Sequence, residues 1–188
     1  AGCKIEDDRV RVPRQLVEQC LQLAPKGFTV YDRLGNPALD LRGRNSYYGC
    51  STGSPQTLDA ITGEIRPATF RDLEIGALVS DALPNIDWVM PFGTTQDTPR
   101  HASFLYDFEA CVTNTTLPVM FLSESGGDTL FIQQMAAACV GGKEKLAEKP
   151  FLMAYPEPIT PLFYPDQVVS RALLAADWGI PQCPGTSQ

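Results

Sequence analysis

The sequence predicts an α/β protein in which about four parallel strands alternate with helices, behind a small α+β cap. Three observations predict it. From residue 86 onward, short apolar runs recur at intervals of about thirty residues, too short for helices and closed by turn residues. Segments with helical spacing lie between them. Before residue 68 the pattern is different, with one helix followed by short β signals and tight turns. The cap is therefore assigned to residues 1–67 and the strand–helix repeat to residues 68–188.

Residues 1–10 are highly charged and are expected to be disordered or loosely docked. From Pro13, the spacing of Leu16, Val17, Cys20, Leu21 and Leu23 predicts a helix that Gly27 ends. Residues 28–31 and 38–41 read as strands around a turn at Gly35-Asn36-Pro37, and residues 45–48 as a third. A loop of small residues, 49–55, follows, and residues 58–66 form a hairpin around Thr62-Gly63. Thr69 is an N-cap with Asp72 three residues on, and opens a helix that Pro84 ends.

Residues 86–90 are the first buried strand. A helix over 100–113 puts Phe104, Leu105, Phe108, Cys111 and Val112 on its inner face. The second strand, 117–122, runs into Ser123-Glu124-Ser125-Gly126-Gly127-Asp128, and Asp128 reads as the N-cap of a helix over 129–140. A short helix covers 143–148. The third strand opens residues 151–164, FLMAYPEPITPLFY, and its continuous apolar character marks a strand buried on both faces. A helix over 166–178 ends at Gly179, and residues 180–183 start a fourth strand. Two closures are compatible with this order: an open doubly wound sheet or a (β/α)8 barrel, of which about half is present. No G-x-G-x-x-G follows any strand, which argues against a dinucleotide fold.

The net charge of -7 argues against a nucleic-acid surface, which carries a basic patch. No run approaches the 20 or so apolar residues that span a bilayer, and the first residues lack the apolar core of a signal peptide. Six cysteines at long irregular spacings, with one histidine, His101, do not form a metal-ligand pattern. Cys111 and Cys139 read as buried small hydrophobes of a reducing compartment, so the expected location is the cytoplasm. Glu157 stands on a stiff, proline-rich loop at the C-terminal end of the third strand, where α/β folds carry their chemistry.

Several stretches resemble the corrinoid-dependent trimethylamine methyltransferase family, which includes glycine betaine methyltransferases. They are residues 17–41 (with FTVYDRLGNPALDL), 45–59 (NSYYGCSTGSPQTLD), 81–90 (DALPNIDWVM), 114–119 (NTTLPV), 141–158 (GGKEKLAEKPFLMAYPEP) and 178–181 (WGIP). They lie in one colinear order. The resemblance implies a (β/α)8 barrel, here its first half, whose mouth binds a methylated amine. It also implies transfer of a methyl group to the Co(I) centre of a separate corrinoid protein, so that cobalamin is carried by the partner and no cofactor is bound directly. The loop at 50–54 departs from the family: where this phrase often has an acidic residue, the chain has Ser54-Pro55.

A quaternary ammonium offers no hydrogen bond, so its site needs aromatic faces and carboxylates. On this reading Glu157 is the candidate catalytic residue, with Tyr155, Glu124, Phe92 and Tyr47 as substrate-binding residues and Tyr48 as a further aromatic from the cap. A second reading is a truncated, non-catalytic half-barrel that serves as a binding or assembly module. A third is a different barrel enzyme using Glu157 as a general base. An unpaired strand edge at residues 180–183 predicts a homo-oligomer.

Overall fold

The structure, a computed structural model, describes residues 2–50 and 53–185. In chain order it contains β1 (Lys4–Glu6), β2 (Arg9–Arg11), α1 (Arg14–Leu23), β3 (Thr29–Tyr31), β4 (Pro37–Asp40), β5 (Gln56–Leu58), β6 (Ile65–Pro67) and α2 (Phe70–Ala82). A 3-10 turn (Arg100–Ala102) then leads into α3 (Ser103–Asn114), β7 (Val119–Phe121), α4 (Gly126–Val140), α5 (Lys143–Glu148), β8 (Leu152–Ala154) and α6 (Asp166–Asp177).

The parallel sheet is built in chain order. Trp88 and Val89 lie beside β7, with Val89 opposite Val119 and its carbonyl accepting from Met120 N at 2.8 Å. β7 pairs with β8 in register, Val119 with Leu152 through Phe121 with Ala154. Gln182 pairs with Ala154, and Ala154 N donates to Pro181 O at 2.9 Å. The first and fourth predicted strands are thus reduced to short bridges, because only one or two residues of each meet a neighbour in ladder geometry. Among the described residues these strands do not close on themselves.

Alternation along the strands divides the core. Val89, Val119, Phe121, Leu152 and Ala154 face the helices and pack with Phe108, Ile132, Leu146 and Phe151. Met90, Met120 and Met153 face the other way and meet Val30 and Leu39 of the β3–β4 hairpin. The expectation that residues 151–154 are buried on both faces holds. The hairpin lies across the starting ends of the strands: Tyr31 N donates to Pro150 O and Arg33 N to Thr116 O, each at 2.9 Å. Asp32 shapes its turn, its Oδ1 accepting from Leu34 N and Asn36 N.

Several local expectations are corrected. The charged N-terminus forms the β1–β2 hairpin, since Ile5 and Val10 alternate with charged residues that can all face water. Helix α1 ends at Leu23, before Pro25 and not at Gly27, and buries none of its residues. Residues 45–48 form no strand; instead Gly49 and Ser54 bridge Trp88 and Gly93, so this segment runs parallel beside the first sheet strand. Cys139 is exposed, because α4 is apolar on more faces than the core can cover.

Capping boxes start α2 and α4. Thr69 N donates to Asp72 Oδ2 at 2.9 Å, and Asp72 N donates back to Thr69 Oγ1 at 3.3 Å. In α4 the cap is Ser125 and not Asp128; Asp128 takes the third helical position, its carboxylate accepting from Ser125 N at 2.9 Å. Gly126 and Gly127 are therefore helical. Gly141 closes α4 in the left-handed conformation, φ 87°. Removing the Thr69 cap (Thr69→Ala) is expected to cost about 1 kcal/mol in denaturant unfolding, as loss of one N-cap acceptor does.

Candidate functional site

Three of the five predicted residues follow the C-terminal ends of the paired strands β7 and β8. β8 ends at Ala154, and Tyr155 N donates to Phe121 O at 3.1 Å, holding the tyrosine backbone level with the end of β7. The Tyr155 ring packs against the Met90, Met120 and Met153 cluster. Its hydroxyl lies against Gly185 so closely that a Cβ there would stand 2.0 Å from it. Burial raises the phenol's pKa above the ordinary value, and the negative charges of Glu157 and Cys183 push it the same way.

Glu157 stands exposed between two buried prolines, Pro156 and Pro158. With those rings seated in the protein the loop is stiff, and the carboxylate is directed outward. Glu124 is exposed directly after the buried Ser123, one residue before the cap of α4. It follows β7 as Glu157 follows β8, so two carboxylates and an aromatic ring share one end of the sheet.

Arg171 joins them, and sequence reasoning missed it. It projects from α6, is half-buried, and donates from Nε to Gln167 O at 3.2 Å and from Nη1 to Ser123 O. Burial lowers its pKa from the ordinary value, and the nearby Glu157 and Asp128 oppose that shift. With Tyr155, Pro156, Ser123, Thr129 and Gln182 it lines a small cavity. The available signal was an arginine set among Val168, Val169, Ala172 and Leu173 in the helix that follows the Glu157 loop.

The other two predicted residues lie elsewhere. Phe92 turns its ring onto α2, where a Cβ at Gly76 would fall 2.1 Å from it; only glycine permits that approach. Tyr47 sits at the cap end of the molecule, its hydroxyl accepting from Asp40 N at 2.9 Å and donating to Asp40 O at 3.3 Å. Tyr48 is exposed beside it, its amide donating to Asp87 Oδ2 at 2.7 Å. Of the small-residue loop, Cys50 Sγ donates to Met90 O at 3.0 Å. Ser51 and Thr52 lie outside the described residues.

Behind the loop that follows the first strand is a second feature absent from the sequence reading. Asp107 of α3 is 3% exposed and accepts a hydrogen bond from Thr95 N at 3.0 Å. Burial raises its pKa from 3.8 to about 6, with the Thr95 hydrogen bonds opposing. Cys111, one turn along the helix, is pushed well above the ordinary thiol value, first by burial and then by Cys50 and Asp107. Among the described residues no three His, Cys, Asp or Glu side chains gather as metal ligands. Nor is any helix among them long and apolar enough to cross a membrane.

Comparison with known proteins gives these features a context. Residues 1–182 match the family model described as trimethylamine methyltransferase (MTTB). The chain is 28% identical over 163 residues to the trimethylamine methyltransferase MttB of Desulfitobacterium hafniense (strain DSM 10664 / DCB-2), covering 87% of this chain and 32% of that protein. It is 29% identical over 184 residues to the glycine betaine methyltransferase of Desulfitobacterium hafniense (strain Y51), covering 95% of this chain and 37% of that protein. The chain thus spans about a third of the length of these curated relatives. With the match running from the N-terminal hairpin to the last paired strand, the chain belongs to the trimethylamine methyltransferase family.

Proposed function

We propose that this protein forms the opening strands of a (β/α)8-barrel methyltransferase, and that it takes a methyl group from a tertiary or quaternary amine of trimethylamine or betaine type. The observation that carries this reading is the grouping of Tyr155, Glu157 and Glu124 at one end of the sheet in a chain of this family. The acceptor is the corrinoid of a partner protein, whose Co(I) supplies the nucleophile.

The residues of this chain do the binding and the electrostatics. The Tyr155 ring offers a π-face to the methylated nitrogen, and Glu157 and Glu124 supply negative charge near it. As the C–N bond breaks, its electron pair stays on nitrogen and a cation becomes a neutral amine. The stiff Pro156–Glu157–Pro158 loop fixes one carboxylate before the amine arrives, so little reorganisation is needed.

The test mixes the full protein that contains these residues with a Co(I) corrinoid protein and each candidate amine, and follows the visible spectrum. Loss of the Co(I) absorbance with at least one methylated amine is expected. An unchanged spectrum with every amine would overturn the proposal. Glu157→Gln should lower kcat/KM for the amine by roughly tenfold, chiefly through a higher KM, because the carboxylate attracts a cation whose charge is lost as the C–N bond breaks.

A further inference from the structure

We propose that the N-terminal arm, residues 2–23, is a dimerisation element that pairs antiparallel with the same arm of a second copy of this chain. The arm consists of the β1–β2 hairpin and α1, and three observations carry the inference.

The first is apolar surface left in water. Ile5 and Val10 stand opposite each other in the hairpin and are 78% and 60% exposed. Val17 and Leu21, one turn apart on α1, are 44% and 62% exposed. Helix α1 buries none of its residues, and among the described residues neither it nor the hairpin packs extensively on any other element. A two-stranded hairpin and a helix of ten residues are each marginal alone in water, so both gain stability from a surface laid over them.

Second, the hairpin sorts its charges by end. Lys4 stands opposite Arg11 at the open end, where like charges repel, and Arg14 follows three residues later. The turn at the other end carries Asp7 and Asp8. Arg11 is paired with Glu6 and Arg14 with Glu18, but no ion pair among the described residues includes Lys4, Asp7 or Asp8. A second copy laid antiparallel on the Ile5–Val10 face brings each acidic turn to the other copy's basic end. The arm is thus the complement of its own inverse, which is what a twofold interface requires.

Third, the arm is neutral on an acidic molecule. Residues 2–23 hold four basic and four acidic side chains, so the whole net charge of -7 belongs to the rest of the chain. Two copies therefore repel through their bodies and not through their arms. A standard interface takes about 20–30 residues a side, and the arm reaches the low end of that range, so the expected dimer is reversible. This surface is separate from the strand edge at residues 180–183.

Sedimentation velocity on the full protein that contains these residues is expected to show association that grows with concentration. Two charge variants locate it. Asp7→Asn with Asp8→Lys turns the acidic end basic, and Lys4→Glu with Arg11→Glu turns the basic end acidic. Each variant alone should associate at least roughly tenfold more weakly. Mixed in equal amounts, the two should recover association as a heterodimer, because each end then meets its opposite. That recovery separates interface charge from damage to the hairpin, since two unfolded arms cannot restore each other. A monomer at every concentration, association that neither variant weakens, or weakened variants that mixing does not rescue would each overturn the proposal.

Discussion

Replacing Phe108 with alanine should destabilise the fold by about 3–5 kcal/mol, the usual cost of emptying a well-packed aromatic site. Phe108 is 0% exposed and meets Phe121 edge-on, centroids 6.4 Å apart and planes 74° apart. It belongs to the cluster that joins α3, α4 and both strands of the central ladder, with Ile132, Leu146 and Phe151 around it. Such a site cannot collapse by moving a single side chain, because its walls come from several elements. Phe108→Leu, which keeps much of the volume, should cost less. Denaturant unfolding gives both numbers from the shift in midpoint at constant slope. A loss under about 1 kcal/mol for the alanine variant would mean that the packing around α3 is loose.

Asp107→Asn should have the opposite sign at neutral pH. Folding raises the pKa of this carboxyl from 3.8 to about 6, so the folded chain holds the proton more tightly than the unfolded chain. The site therefore imposes no penalty below about pH 4, an increasing one as pH climbs towards 6, and its full penalty above that. Some two pKa units correspond to about 3 kcal/mol as an upper bound. Asparagine keeps an acceptor for Thr95 N and removes the buried charge. The variant should melt several degrees higher than the parent at pH 7.5 and at nearly the same temperature at pH 4, about 2–4 °C per kcal/mol for a chain of this size. A melting difference that does not change with pH would show that Asp107 is not the group responsible. The carboxylates of the β5–β6 region behave in the reverse way: backbone N–H groups of Thr62 and Ile61 together with Arg66 hold Asp59 down at about 2, so its contribution is present at neutral pH and fades only in strong acid.

What could be read in the sequence was local. The Thr69–Asp72 capping box, the β3–β4 turn and the buried run after Pro150 each declare themselves within a few residues, and each is found where expected. The α4 start was misplaced by three residues because Gly126-Gly127 look like loop, and only the Ser125–Asp128 exchange of hydrogen bonds makes them helical. Long-range placement had no such signal. Tyr47 was assigned to the mouth because its chain position gave no sign that Gly49 and Ser54 pair in parallel with Trp88 and Gly93, which leaves Tyr47 beside the strand starts. Phe92 follows a strand end, as a site residue should, but Gly76 on another helix leaves a ring-sized gap that claims it. Arg171 and Asp107 were invisible for a related reason. What marks them is burial without a bonded counterion, and that exists only once the helices have docked.

The β3–β4 hairpin carries a consequence for the order in which the protein is completed. Its amides and the Arg33 guanidinium bond to carbonyls at Thr115, Thr116 and Pro150, and the Arg33–Thr115 bonds bridge 82 positions of sequence. During synthesis these donors emerge long before their acceptors, so Val30 and Leu39 wait in water until two strand–helix units have formed behind them. The part of the chain made early is thus one of the last to find its place, and the floor of the sheet is laid after its walls.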